Sequence, residues 1–333
     1  MSFNQFILRE QYEKVKGLGD RLILMKEQIK WEPFIPLVKS VFRDDPKIGG
    51  RPHTDELIVV RSMLLQAWYG LSDQELEFQC YDRLSFRNFL GYPESIPDFS
   101  TIWNIRDKLK EQHTDDAIWD ELQSQLNDKG YRIKKGVIQD ATFIEADLGR
   151  KRHYQKKKAE KKGEKIEYSE RQLQHIDKDG SFSVKHGQVH YGYKTHIKLD
   201  TEDYLIRTVE VTTASLHDGE IDLIRRGDKK AYRDKGYFGK KINAKGIEDM
   251  TMKRDTRGRK INGGEQKRNR MISGIRAPGE RPFGVIKRVF HNGKTFVKTI
   301  ERVKTKEIFK AFAFNLYQLV TLQKKKIAIA LPN

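Results

Sequence analysis

The chain has 333 residues, enough for one or two domains with a sizeable core. Lysine and arginine number 65 against 47 aspartate and glutamate, a formal net charge of +18 that favours a polyanionic partner. No apolar run approaches the roughly 20 residues of a spanning helix, so nucleic acid is favoured over a membrane. Cys80 is the only cysteine, which excludes an intrachain disulfide and a cysteine-rich zinc site and predicts a reducing, cytoplasmic setting.

The first part of the chain, to about residue 127, has the apolar spacing of helices. The predicted helices are 55–70, a short one from Ser72 to Cys80, one that begins at 97–101, and 114–127. Their apolar faces carry three tryptophans for which core packing is predicted: Trp68, Trp103 and Trp119. Short helices joined by tight turns suit a helix-turn-helix-like DNA-binding module, and they suit any small helical bundle equally well.

After Gly136 the pattern changes to that of strands. The predicted elements are a strand at 137–138 leading into Asp140, strands at 196–200 and 205–213 joined by a hairpin turn, a short helix at 218–226, a strand that ends at Asp234, a weaker strand at 247–252 and a last helix at 305–324. Strands interleaved with helices predict a mixed α/β layer.

A basic stretch interrupts this second part between residues 150 and 170. Its centre is Lys156, Lys157 and Lys158. A charge run of this kind is typical of a solvated loop, and such a loop can also order along DNA phosphates. The two interpretations are compatible with each other.

Asp140, Asp234 and Glu280 each lie in a setting that suits metal-assisted phosphoryl transfer. Two Mg²⁺ ions about 3.5–4 Å apart can activate the attacking oxygen and stabilise the leaving one, and Mg²⁺ prefers carboxylate ligands on rigid elements. Asp140 stands in an apolar strand, where a desolvated carboxylate needs a partner such as a metal ion. The alternative is that Asp140 is solvated or paired with Lys135 or Lys194.

These segments resemble the DDE transposases of prokaryotic insertion sequences, specifically the "IS five" family within the "IS four"-like superfamily. Asp140-Ala141-Thr142 matches the family's D-x-T setting, and Asp234-Lys235-Gly236-Tyr237 matches its second Asp followed by Lys-Gly-Tyr. Arg276, Glu280 and Lys287 have the spacing of its third segment. Stretches at 85–91, 97–101, 191–196 and 213–218 are also similar, so the likeness covers nearly the whole chain. Where the superfamily has a Tyr before the Arg, this chain has Ser273.

The resemblance implies an α/β fold: an RNase H-like mixed-sheet catalytic domain over 131–333, preceded by an all-helical DNA-binding and dimerisation region over 1–130. Asp140 would lie on the central strand, Asp234 on a neighbouring strand and Glu280 on or just before a crossing helix. The three acids would be the catalytic residues and would hold two Mg²⁺ ions, for which Mn²⁺ would substitute. The predicted phosphate contacts are Lys287, Arg276, Arg288 and Lys235, besides the three lysines of the basic stretch.

Pro278 and Pro282 bracket Glu280, and proline is tolerated only in the first turn of a helix. We therefore expect Glu280 at the start of a helix and Arg276 on the loop that approaches it. The residues expected to face the core are Phe283, Ile286 and Phe290.

The predicted function is that of a DNA transposase. Such an enzyme binds the terminal inverted repeats of its element, cleaves the DNA at the ends and joins the freed 3′-OH ends to target DNA. Because a synaptic complex holds two double-stranded DNA ends, at least a homodimer is expected. No membrane partner is expected. The expected location is the cytoplasm of a prokaryote, at the nucleoid. The alternatives are an RNase H-like nuclease without strand transfer and a domesticated DNA-binding regulator.

Overall fold

The computed structural model describes residues 3–42, 53–147, 159, 161–163, 169, 177–185 and 187–330. The N-terminal helices are α1 (Phe3–Gly17), α2 (Arg21–Lys26), α3 (Phe34–Lys39), α4 (Glu56–Tyr69), α5 (Asp73–Asp82), α6 (Leu84–Leu90), α7 (Phe99–Glu111) and α8 (Thr114–Asp128). The helices predicted from the sequence correspond to α4, α5, α7 and α8 and are confirmed. Asp55, Ser72 and Asp98 each accept a hydrogen bond from a first-turn backbone N–H, which is why α4, α5 and α7 begin where they do.

Seven strands in the described part of the chain form one mixed, curled sheet. They are β1 (Val137–Ala146), β2 (Ser181–Lys185), β3 (Gln188–Asp200), β4 (Ile206–Thr213), β5 (Lys230–Arg233), β6 (Glu248–Thr251) and β7 (Lys294–Thr295). On one side of β1 lies β3, antiparallel to it, followed by β4. On the other side lie β5 and β6, both parallel to β1. The strands predicted from the sequence are confirmed, and β1 continues beyond Asp140 so that this acid lies within the strand.

The chain then forms α9 (Gly263–Arg276), a 3₁₀ turn (Ala277–Glu280), α10 (Arg281–Gly284), a π-helical turn (Val285–Val289) and α11 (Ile300–Ala330). Arg276 is the last residue of α9, so its predicted place on a loop is wrong. Pro278 and Pro282 each stand in the first turn of a new short segment, where proline removes no needed hydrogen bond. The chain therefore stays helical through the two prolines by changing helix type.

The helix predicted at 218–226 is wrong beyond its first turn, because only Asp218–Glu220 forms a 3₁₀ turn. The side chain of Asp222 accepts a hydrogen bond from the backbone N–H of Ile224, and that of Asp228 accepts one from Arg225. These side-chain bonds take the amides that a helix would have used. The last helix is longer than predicted, and its first amide, that of Ile300, donates to Asp179.

The core lies between the sheet and the helices and is shared by both parts of the chain. Helix α11 packs against β4 on one side and α4 on another, and Phe290, Phe283 and Ile286 join the same core as expected. Trp68 and Trp119 are buried as predicted, whereas Trp103 is 45% exposed and the core-packing prediction for it is wrong. No helix among the described residues is both long and apolar enough to cross a membrane.

Candidate active site

Asp140 lies on β1, and Asp234 comes directly after the end of β5, the adjacent parallel strand. Ile138 on β1 pairs with Tyr232 on β5. Asp140 follows Ile138 by two residues and Asp234 follows Tyr232 by two residues, so both side chains point to the same face of the sheet at the same level. The sheet register therefore brings the first two acids near each other, and the charge of Asp234 acts on Asp140.

Glu280 belongs to a 3₁₀ turn that packs on this face of β1. Its neighbour Gly279 is buried, and a Cβ atom there would lie 3.0 Å from Cγ2 of Ile138. A larger residue at this position would require the Ile138 side chain to shift, so glycine favours this close approach of the turn to the strand. Glu280 itself is exposed and makes no hydrogen bond or ion pair with the described residues.

The three carboxylates affect one another electrostatically. Burial raises the pKa of Asp140 to about 6, with smaller upward effects from the charges of Asp234 and Glu280. Arg276 acts in the opposite direction, and its Nη2 lies 3.3 Å from Oδ2 of Asp140. Lys135 and Lys194 are not the partners of Asp140; Lys194 pairs with Asp218 at 2.8 Å. The site thus concentrates negative charge with one cation facing it.

The donor set suits a hard divalent cation. Oδ1 of Asp140 accepts a hydrogen bond from the backbone N–H of Ala141, and Oδ1 of Asp234 accepts one from Gly236. Each aspartate is thereby oriented by one oxygen and presents the other to the site. Within the described ranges, however, no group of three or more His, Cys, Asp or Glu side chains is arranged so that it could hold a metal ion. The chemistry fits a metal, but the exposed Glu280 would have to turn towards the aspartates.

Lys287 contacts the same face of β1 one step further along. Its Nζ donates a 2.6 Å hydrogen bond to Oγ1 of Thr142, two residues after Asp140. Desolvation lowers the pKa of Lys287. Arg276 and Lys287 therefore contact β1 at Asp140 and at Thr142, although they belong to helical segments of different type.

Two family models match the chain. One, described as "Transposase domain (DUF772)", covers residues 9–108. The other, described as "Transposase DDE domain", covers residues 131–316, more than half of the chain. The chain belongs to the DDE transposase family. No solved structure matches it.

Membership of this family supports a DNA transposase of an insertion sequence and implies an RNase H-like fold, DNA as a partner and, as is general among DDE transposases, divalent metals. The order β4-β3-β1-β5-β6, antiparallel on one side of β1 and parallel on the other, is the sheet that carries the two aspartates of this transposase.

Two other basic residues predicted to contact DNA, Lys235 and Arg288, form no ion pair in the described part of the chain. Lys235 is exposed on the 3₁₀ turn that follows Asp234. Arg288 is exposed and folds back over Gly284, where a Cβ would lie 2.9 Å from its Nη2. Lys156, Lys157 and Lys158 lie outside the described residues.

The sequence-based prediction did not name Tyr237, a buried residue close enough to the aspartates to be affected by their charges. Tyr237 is 1% exposed, and its buried hydroxyl has no hydrogen-bond partner in the described chain. Burial raises the pKa of Tyr237, and the charges of Asp218, Asp140 and Asp234 raise it further. The Lys-Gly-Tyr sequence after Asp234 is the signal that could have identified this residue.

Proposed function

We propose that the chain is an active transposase that cuts DNA at the ends of its element and joins the freed 3′-OH ends to target DNA. Asp140, Asp234 and Glu280 would be the catalytic acids. The observation that carries the proposal is that Asp140 on β1 lies near Asp234, which directly follows β5, the adjacent parallel strand. A binding role alone does not need a buried carboxylate, with its pKa raised by burial and further by two neighbouring acids.

The three acids would hold two Mg²⁺ ions, which when bound supply activation of the attacking oxygen and stabilisation of the leaving oxygen. Asp140 and Asp234 are oriented for this by the backbone amides of Ala141 and Gly236. The contact with Arg276 favours the ionised form of Asp140, which is the form that binds a cation.

Lys287 would hold the DNA backbone next to the cut. Its hydrogen bond to Thr142 places the ammonium two strand residues from Asp140, a distance of roughly 7 Å along β1. That distance is close to the spacing of successive phosphates in a DNA strand. Lys235 and Arg288 are both exposed and would neutralise further phosphates. Arg276 would do the same if DNA displaces it from Asp140.

The helical region would bind the terminal repeats, and synapsis of two ends would bring at least two copies together. The net charge of +18 supports binding to DNA in the prokaryotic nucleoid. The basic stretch at 150–170 would add contacts along the backbone.

The test uses the full-length protein, DNA carrying the element ends with a labelled strand, and Mg²⁺. Cut ends followed by joined products support the proposal. Cut ends that never join would indicate a nuclease, and binding without any cutting would indicate a regulator. Asp234→Ala should abolish cutting, whereas Asp82→Ala, an exposed acid on α5, should leave it intact; cutting that survives Asp234→Ala would refute the assignment of the site.

A further inference from the structure

A groove of about 770 Å³ lies between the helical region and the catalytic part of the chain. One wall is formed by the turn between α4 and α5 and by α7. The other is formed by residues 291–298 and by the start of α11. The family matches assign no role to this groove.

Close contacts between backbone and side-chain atoms join the two walls of the groove. Gly70, with φ of +64°, lies so close to the opposite wall that a Cβ there would be 2.7 Å from the carbonyl oxygen of Phe290. Nδ2 of Asn292 donates a 3.0 Å hydrogen bond to the carbonyl oxygen of Ala67. The groove is therefore preformed, which lowers the entropic cost of binding a ligand.

The groove is lined by more basic side chains than are paired with carboxylates. Arg106 is paired with Asp73 at 2.5 Å, and Arg302 makes two hydrogen bonds to Asp107. The lining cations that form no ion pair within the described chain are Lys287, Lys294 and Lys306. This excess of positive charge lines the groove and favours the binding of an anionic ligand.

Lys306 shows this excess most clearly. It makes no hydrogen bond or ion pair with the described residues, although it lies at the lining of the groove on α11. Burial lowers the pKa of Lys306 to about 8, and the neighbouring charges of Lys310 and Arg106 lower it further. Asp73 and Glu307 act in the opposite direction, and an anion in the groove beside Lys306 would offset the effect of burial further.

Two aromatic rings are exposed in the same groove. Phe296 is 76% exposed and Trp103 is 45% exposed. The guanidinium of Arg302 lies 5.2 Å from the centre of the Trp103 ring and holds its orientation. Exposed aromatic rings among unpaired cations are typical of surfaces that bind single-stranded nucleic acid, because bases stack on the rings while phosphates meet the cations.

The groove is continuous with the candidate active site through Lys287. This residue lines the groove and also contacts Thr142, two residues from Asp140. A DNA strand that leaves the acids past Lys287 would next meet Lys294 and Phe296.

We propose that this groove binds one unpaired strand of DNA adjoining the cut phosphodiester, with its backbone on Lys294 and Lys306 and one base stacked on Phe296. The inference rests on the proposed function, because it assigns the groove to the DNA that the acids cut. A duplex keeps its base faces covered and cannot offer them to Phe296, so the ligand is the single strand.

The test measures binding of the full-length protein to three labelled probes by fluorescence anisotropy. The probes are a blunt duplex, the same duplex with a single-stranded tail, and an oligothymidylate of about 10 nucleotides. Phe296→Ala should weaken binding of the tailed duplex and the oligothymidylate by roughly tenfold and leave the blunt duplex unaffected. Lys306→Gln and Lys294→Gln should each reduce the salt dependence of binding to these two probes by about 0.7 in the slope of log K against log salt.

Matched controls are Phe182→Ala on β2, where the residue is 39% exposed, and the exposed Lys241→Gln, neither of which lines the groove. Lys294 is exposed, so its variant tests the proposal even if Lys306→Gln fails to fold. Wild-type affinity of Phe296→Ala and Lys294→Gln for tailed DNA would overturn the inference, as would equal losses on the blunt duplex. If the wild-type protein neither binds nor cuts any DNA, the proposed function itself fails.

Discussion

The Arg276 guanidinium lies 3.3 Å from the Asp140 carboxylate, with Nη2 facing Oδ2. Arg276 ends α9 and Asp140 lies within β1, so the contact joins the last turn of a helix to the middle of the central strand. The arginine faces the carboxylate oxygen that is not held by the backbone amide of Ala141. A metal ion bound by Asp140 would compete with Arg276 for that oxygen. Metal binding and the Arg276–Asp140 ion pair should therefore oppose each other.

Replacing Arg276 with glutamine should raise the pKa of Asp140 further, because the charge that opposes the effect of burial is removed. The pKa can be followed by carboxyl-selective NMR in metal-free buffer. Arg270→Gln, at an exposed position on the same helix, is the matched control and should not change it. A lower Asp140 pKa in Arg276→Gln would show that the arginine does not act on this acid.

Asp140→Asn should stabilise the metal-free protein at neutral pH. The native pKa of Asp140 is raised from its ordinary value of 3.8 to about 6, so ionisation of Asp140 costs stability as the pH rises from about 4 through about 6. Above that range the asparagine variant should be more stable by about 3 kcal/mol, and below pH about 4 the difference should vanish. Urea unfolding with a chelator between these pH values measures it, and a variant less stable than the wild type at pH about 8 would contradict the expected sign.

Mg²⁺ or Mn²⁺ should raise the unfolding temperature of the wild-type protein, because a ligand that binds only the folded state stabilises it in proportion to RT ln(1 + [L]/Kd). Asp140→Asn and Asp234→Asn should lose this effect, since each removes a charged ligand. Asp82→Asn should keep it. An equal response in all four proteins would place the metal elsewhere.

Lys287→Gln should reduce the slope of log K against log salt for duplex DNA by about 0.9, as expected when one phosphate contact is lost. Thr142→Val removes the acceptor of the Lys287 hydrogen bond and retains the charge. It should therefore leave the salt slope unchanged. If the valine variant lowers the slope as much as the glutamine variant, the effect of Lys287 on DNA binding is not due to its charge.

Gly70→Ala should destabilise the protein by more than the roughly 1 kcal/mol expected for a left-handed residue alone. The added Cβ would lie 2.7 Å from the carbonyl oxygen of Phe290, and backbone at that site cannot move without separating the groove walls. Gly246→Ala, with φ of +77° and nothing within 4 Å of the added Cβ, provides the control. If chemical denaturation shows the same loss of unfolding free energy for both variants, the close contact at Gly70 does not contribute to the destabilisation.

Local features of the chain were predictable because they depend on residues close together in sequence. Ser72 and Asp98 begin α5 and α7 as helix-capping residues do, and β3 and β4 follow their β-branched residues. The errors at 218–226 and at Trp103 have a different origin. Asp222 and Asp228 bond to nearby amides instead of allowing a helix, and Trp103 faces the groove because Arg302, almost 200 residues later, packs over it.

The sequence alone determined the family resemblance, the three acids and the basic character, because motif spacing and composition are properties of the chain in one dimension. Only the tertiary structure decided that Arg276, and not Lys135 or Lys194, faces Asp140 and that a basic, aromatic groove leads away from the acids. These relationships arise where the packing of the core brings together strands and helices that are distant in sequence. No local pattern specifies such a distance.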